Sequence, residues 1–220
     1  GVEIKGGIIT GGRGDRGGTF LVRGLLTMEG GTIAGSIAQE TDPDQTIEIH
    51  QPTGGAGGAI FIDQRGKFIM NGGTITYSSS DPDIDSYGGA VFIDAEATGV
   101  GTFVMNGGTI SHCSANFGGA VYVHEALAEG VTLPAIFTLN GGTISNNSTT
   151  SVNATTSNAA ARGGAVYLNG TFEMNGGSII NNSTEKLSVS YEGQPAYNGY
   201  GGAIFMTSDS AVFTMNDGTI

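Results

Sequence analysis

Tryptophan is absent from this chain of 220 residues, cysteine occurs once and proline five times. The lone Cys113 excludes an intrachain disulfide framework. Cations are scarce: eight Lys and Arg stand against twenty Asp and Glu, for a net charge of −12. That balance disfavours nucleic acid and anionic membrane surfaces as partners. No apolar run is long enough to cross a bilayer, so no direct membrane insertion is expected, and a removed signal peptide would leave no trace. Helical periodicity is missing too, because nowhere do apolar residues recur at helical spacing over ten or more positions. Forty glycines argue the same way, since each costs about 1 kcal/mol relative to Ala inside a helix.

What is present is repetition. A Gly-Gly pair opens an apolar triplet at Gly57-Gly58-Ala59-Ile60-Phe61-Ile62, with relatives starting at Gly17, Gly88, Gly118, Gly163 and Gly201. A second phrase, Phe68-Ile69-Met70-Asn71-Gly72-Gly73-Thr74-Ile75, returns at 103–110, 137–144, 172–179 and 213–220, with worn copies at 26–33 and 2–9. The two alternate strictly, so one pair is one structural unit. Copies of the second phrase from position 26 onward begin 42, 35, 34, 35 and 41 residues apart. Fixed phrases at unequal periods mean that insertions fall at set places in the unit, as loops on a solenoid do.

The units are strands, rich in Ile, Val, Phe, Tyr and Thr and punctuated by Gly and Asn. Alternation assigns the faces. Phe68 and Met70, Ile75, and Ile60 and Ile62 point inward, with their equivalents stacked on them. Each turn supplies about five inward apolar side chains, about 1.5–3 kcal/mol each when buried. No turn could bury its face alone, so the expected fold is all-β: a single-stranded parallel β-helix of about six turns with three short strands per turn. At about 4.8 Å per rung the rod is roughly 29 Å long. The repeat spans 1–220 as a single domain. The chain starts without Met and stops inside a phrase, which suggests a segment of a longer protein or a stacking subunit.

Gly-Gly-Ala-Ile (57–60, 201–204), its Val variants (88–91, 118–121, 163–166) and Phe-x-x-Asn (68–71, 103–106, 137–140, 172–175, 213–216) resemble the paired repeats of chlamydial polymorphic outer-membrane proteins. Met-Asn-Gly-Gly-Thr-Ile is also similar to repeats of large bacterial surface β-helix proteins. The resemblance covers almost the whole chain. It implies a right-handed β-helix exported to the cell surface, often as an adhesin or autotransporter passenger. It carries over no catalytic residue, and the chain lacks a barrel-like segment.

Several residue groups are candidate sites. Asn71, Asn106, Asn140, Asn175 and Asn216 recur at one corner and are expected to form a structural amide ladder. Phe61, Phe92, Tyr122, Tyr167 and Phe205 occupy the outward middle position of the first phrase. An exposed aromatic column of this kind would be a ligand-binding surface for sugar rings or a partner protein. Two alternatives stay open: the insertions at 34–56, 124–135, 145–162 and 180–200 fold over it, or the column faces inward. Asp81, Asp83 and Asp85 alternate like the start of a calcium loop, but the downstream Glu position falls on Phe92. Asp42-Pro43-Asp44 is a shorter echo.

Asp63 and Asp94 follow equivalent triplets and could stack one rung apart, though His124, Asn169 and Thr207 break the column. His50, His112 and His124 are scattered. Arg13-Gly14-Asp15 is the tripeptide integrins read, set in a Gly-rich corner. Sequons at Asn146, Asn147, Asn153, Asn169, Asn181 and Asn182 read as polar loop residues. Lys5, Arg13, Arg16 and Arg23 read as solvated surface, or as a head-to-tail contact with an acidic end of another copy.

The resulting expectation is a non-enzymatic extracellular or cell-surface β-helix of a bacterial protein, serving as adhesin segment, stalk or fibre element. Its partners would be a host or neighbouring-cell glycan or protein, or copies of itself. No cofactor is required. The alternatives are a carbohydrate-active β-helix enzyme of the lyase or hydrolase kind, since the fold hosts them, and a self-assembling filament subunit.

Overall fold

A computed structural model describes residues 1–39, 55–81, 85–128, 130–150, 161–185 and 199–220. The chain is all-β and winds as a parallel β-helix, with each strand pairing to its counterpart one turn away. Sheet 1 has seven strands: Val2–Ile4, Leu25–Met28, Lys67–Met70, Thr102–Met105, Ile136–Leu139, Thr171–Met174 and Val212–Met215. Sheet 2 has six: Ile8–Thr10, Thr32–Ala34, Thr74–Thr76, Thr109–Ser111, Thr143–Ser145 and Ser178–Ile180. Sheet 4, from the Gly-Gly phrase, has Phe20–Val22, Ile60–Ile62, Val91–Ile93, Val121–Val123, Val166–Leu168 and Ile204–Met206.

These are the three short strands per turn that the phrases imply. A further ladder, sheet 3, closes each turn with two-residue strands: Arg13–Gly14, Ile37–Ala38, Ser79–Ser80, Ser114–Ala115, Ser148–Thr149 and Ser183–Thr184. Two antiparallel hairpins, Ala95–Glu96 with Gly99–Val100 and Glu125–Ala128 with Val131–Pro134, leave the rod between sheets 4 and 1.

Register is set by like residues. Phe68, Phe103, Phe137 and Phe172 pair in sequence and are fully buried. Their rings stack at centroid distances of 4.9, 5.0 and 4.5 Å. Met28, Met70, Met105, Leu139 and Met174 fill the next inward column, and Ile33, Ile75, Ile110, Ile144 and Ile179 the one on sheet 2. Sheet 4 closes the core with Ile60/Ile62, Val91/Ile93, Val121/Val123 and Val166/Leu168. Slipping any rung by one residue would turn these side chains to water.

Two glycine positions explain why the phrases are invariant at their corners. Gly73 sits at φ +88°, and a Cβ there would lie 2.8 Å from the Gly31 carbonyl oxygen one rung away. At Gly58 a Cβ would lie 2.0 Å from the Gly89 carbonyl oxygen and 2.7 Å from the Ser79 backbone. Only glycine lets successive backbones approach so closely.

The corner between sheets 2 and 3 is polar inside. Asn147 is fully buried; its Oδ1 accepts from the Cys113 amide at 3.0 Å and its Nδ2 donates to the Ile110 carbonyl at 3.1 Å. One rung on, Asn182 Oδ1 accepts from the Asn147 amide at 3.0 Å. These side chains satisfy backbone groups that the tight corner leaves without ladder partners. Asn147 and Asn182 are therefore structured corner residues rather than loop polars, and burial closes Asn147 to glycosylation.

Candidate binding surface

The corner after sheet 1 carries a continuous amide ladder on the exposed surface. Asn71 Nδ2 donates to Glu29 Oε1 at 2.7 Å, Asn106 to Asn71 Oδ1 at 2.7 Å, and Asn140 to Asn106 Oδ1 at 2.8 Å. Asn175 donates to Asn140 Oδ1 at 3.0 Å, and Asn216 to Asn175 Oδ1 at 2.7 Å. All donors point the same way along the axis, so the amide dipoles add, and the chain of acceptors ends on the Glu29 carboxylate. Each amide spends one proton on its neighbour, and Asn216 also donates to Glu173 Oε1 at 3.3 Å.

The aromatic column does not form an exposed stripe. Phe61 is 0% exposed, Phe92 1%, and Tyr122 and Tyr167 8% each. Phe205, on the last rung, is partly buried. Their rings stack at 4.9, 5.0 and 4.7 Å up to Tyr167, then tilt at 5.3 Å to Phe205. The side chains do leave sheet 4 on its outer side, because they form a cluster separate from the interior.

What packs on them is the residue just before each Gly-Gly pair. Arg16, Ala56, Tyr87, Phe117, Arg162 and Tyr200 form a ladder of their own through isolated bridges. Tyr87 meets Tyr122 edge-on at 5.2 Å, Phe117 meets Tyr167 edge-on at 5.6 Å, and Arg16 lies 5.5 Å over Phe61. Arg162 lies 5.6 Å from both the Phe117 and Phe205 rings. The Gly-Gly bend turns the residue before each pair over the aromatic of the next rung. Burial pushes the Tyr122 and Tyr87 phenols well above their ordinary range; Tyr167 and Tyr87 add to it at Tyr122, and Asp85 and Tyr167 at Tyr87. The column is a second core.

The acidic candidates are dispersed. Asp81 is 7% exposed. Burial holds the Asp85 carboxyl above its ordinary value, with Arg162 drawing it back. Asp83, Asp42, Asp44 and His50 lie outside the described residues, as does Asn153. Among the described residues no group of three or more His, Cys, Asp or Glu side chains could hold a metal ion.

Asp63 and Asp94 each have their own partner: Arg23 Nε donates to Asp63 Oδ2 at 2.7 Å, and Asp94 Oδ1 lies 3.1 Å from His124 Nδ1 while accepting the Ala95 amide at 2.9 Å. Arg13 and Gly14 form a sheet-3 strand paired to Ile37 and Ala38, so that tripeptide is part of a ladder rather than a loop tip.

One exposed feature had no counterpart among the sequence candidates. Tyr77 and His112 project from the corner between sheets 2 and 3 with φ of 51° and 55°, their rings stacked at 4.9 Å and 22°. Holding a Tyr in the left-handed region costs about 1–3 kcal/mol, whereas His takes it more readily. The neighbouring rungs use Gly35, Asn146 and Asn181 at the same conformation, residue types that adopt it readily. The phrase after Thr-Ile is where this corner could have been found, but Tyr and His there disguise the backbone.

No protein-family model, no characterised protein sequence and no solved structure matches this chain.

Proposed function

We propose that this chain is a non-enzymatic extracellular β-helix of a bacterial surface or secreted protein, working as an adhesin segment, stalk or fibre element. One observation carries the reading: length varies only at corners while the rungs stay in register. Between sheet 3 and the next Gly-Gly phrase the chain grows by residues 39–55, 81–86, 150–161 and 185–199, whereas Ala115 and Phe117 are one residue apart. The second site of growth is the hairpin corner between sheets 4 and 1. Parallel ladders bridge every one of these excursions. A scaffold that holds its rungs constant and varies its edges is suited to presenting segments at fixed intervals along a stiff axis.

The mechanism is geometric. The rod supplies distance and rigidity, and the corners supply whatever is recognised. Antibody labelling and protease shaving of intact source cells test the location; surface exposure is expected, and a purely internal pool sets the reading aside. Incubation with neutral and acidic polysaccharides is expected to release no product, and product release would overturn the non-enzymatic part.

A further inference from the structure

We infer that the Tyr77–His112 ring pair is a carbohydrate-binding platform that takes a pyranose ring of a neutral glycan on the open face of Tyr77. Tyr77 holds left-handed backbone strain without the return of burial, its side chain 66% exposed, and the exposed His112, a residue type that takes this conformation more readily, stacks on it. Gly35, Asn146 and Asn181 show that the same corner can be built from residues that take this conformation readily. Unreturned strain at an exposed side chain points to a use for that side chain.

The geometry favours a stacked ring. His112 covers one face of Tyr77 at 4.9 Å. On the opposite side the next rung is Gly35, where a Cβ would meet nothing within 4 Å, and the rung beyond it is Gly11, where the same holds. Tyr77 therefore looks onto a notch that lacks side chains for two rungs, about 10 Å along the axis. A pyranose presents an apolar C–H face that suits an aromatic face, while its rim needs hydrogen-bonding groups.

One such group sits on Tyr77's own rung: the Thr76 hydroxyl, hydrogen-bonded to the Ser111 hydroxyl at 3.2 Å, while Asn146 lies on the far side of His112 from the notch. Charge selects the class of sugar. Among the strands of sheets 2 and 3 the one charged residue is Arg13, and the protein carries −12 overall. An anionic glycan would be repelled at long range by that net charge, with Arg13, two residues past Gly11, the one cation these strands set near the notch. A protein partner would want an apolar anchor set in an apolar patch, whereas this is a ring pair beside the Thr76 and Ser111 hydroxyls.

The site would give the proposed display rod its ligand, and it is tested separately from that role. Binding of cellohexaose, xylohexaose and mannohexaose would be measured calorimetrically with the full chain. Wild type is expected to bind at least one of them. Tyr77→Phe should retain binding, Tyr77→Asn should lose it at least tenfold, and His112→Asn should weaken it less. Gly35→Asn keeps a residue suited to the left-handed corner but fills the notch, and it should also lose binding tenfold. Tyr77→Asn should melt at or above the wild-type temperature because it relieves strain, and Gly35→Asn should stay folded because its side chain enters open space and Asn tolerates the left-handed corner. No binding by wild type, or unchanged affinity in folded Tyr77→Asn or Gly35→Asn, overturns the assignment and leaves the surface location and the rod unaffected.

Discussion

Replacing Asn140 with Leu removes the middle of the amide ladder. The side chain donates to Asn106 at 2.8 Å and accepts from Asn175 at 3.0 Å, so two hydrogen bonds are lost at once. Each is worth about 0.5–1.5 kcal/mol net. The ladder is exposed, so water can re-satisfy the freed partners and the lower half of that range applies. The expected loss is about 1–2 kcal/mol, which for a chain of this length is roughly 2–8 °C in melting temperature.

Circular-dichroism melting reads it directly, with Asn140→Asp as the companion variant. At neutral pH its carboxylate can still accept from Asn175 but cannot donate to Asn106 Oδ1, and it faces that oxygen as a second acceptor. Its pKa in the fold would therefore be raised above the unfolded value of about 3.9. Stability of this variant relative to wild type is then best below about pH 4 and falls as pH rises through the folded pKa. Melting of Asn140→Leu within about 1 °C of wild type would show that the ladder decorates the rod without stabilising it.

Three further outcomes follow from the same coordinates. Gly58→Ala should cost more than the usual range of about 0.5–3 kcal/mol for a substitution, because its Cβ would meet the Gly89 carbonyl oxygen and the Ser79 backbone, neither of which can swing aside; soluble yield and melting check it. Tyr87 and Tyr122 have phenols raised by burial, so their contribution to stability is present below the unfolded value of about 10 and is lost as pH climbs past it. Alkaline unfolding should begin in that range and move to higher pH in the Tyr87→Phe/Tyr122→Phe double variant. Cys113 is buried with its thiol pushed up to about 12 by that burial, so it should stay unreactive to a thiol reagent at pH 8 in the native state and react fully in denaturant.

Much of the architecture was legible because the repeat phrases carry their own periodicity. Phe68, Met70 and Ile75 alternate with Ile69, Asn71 and Thr74, and that alternation is the pleat. The two-residue ladder of sheet 3 was hidden, since Arg-Gly, Ile-Ala, Ser-Ser and Ser-Thr share no pattern and are held by neighbours above and below rather than by their own propensity. The aromatic column was placed on the correct side of sheet 4 with its cover left open, and the structure closes it with the residue before each Gly-Gly pair, among them Ala56, Arg162 and Tyr200 at the ends of three insertions. Its cover comes from Tyr87, Phe117 and Arg162, and only the three-dimensional bend at Gly-Gly brings those residues over it. The stacking of Tyr77 on His112 escaped notice for a related reason: His112 was read as a scattered histidine, and at Tyr77 the left-handed conformation falls on a residue type that does not announce it.

The central physical claim is that successive turns stack in register along one axis, and a single distance tests it. Thr27 and Thr214 occupy the same outward column of sheet 1, five rungs apart. Spin labels at Cys substituted for these two threonines, with Cys113→Ala to remove the native thiol, should give a narrow distribution of distances centred near 24 Å in a pulsed dipolar experiment. A broad distribution, or a narrow one centred far from that value, would contradict the stacked rod.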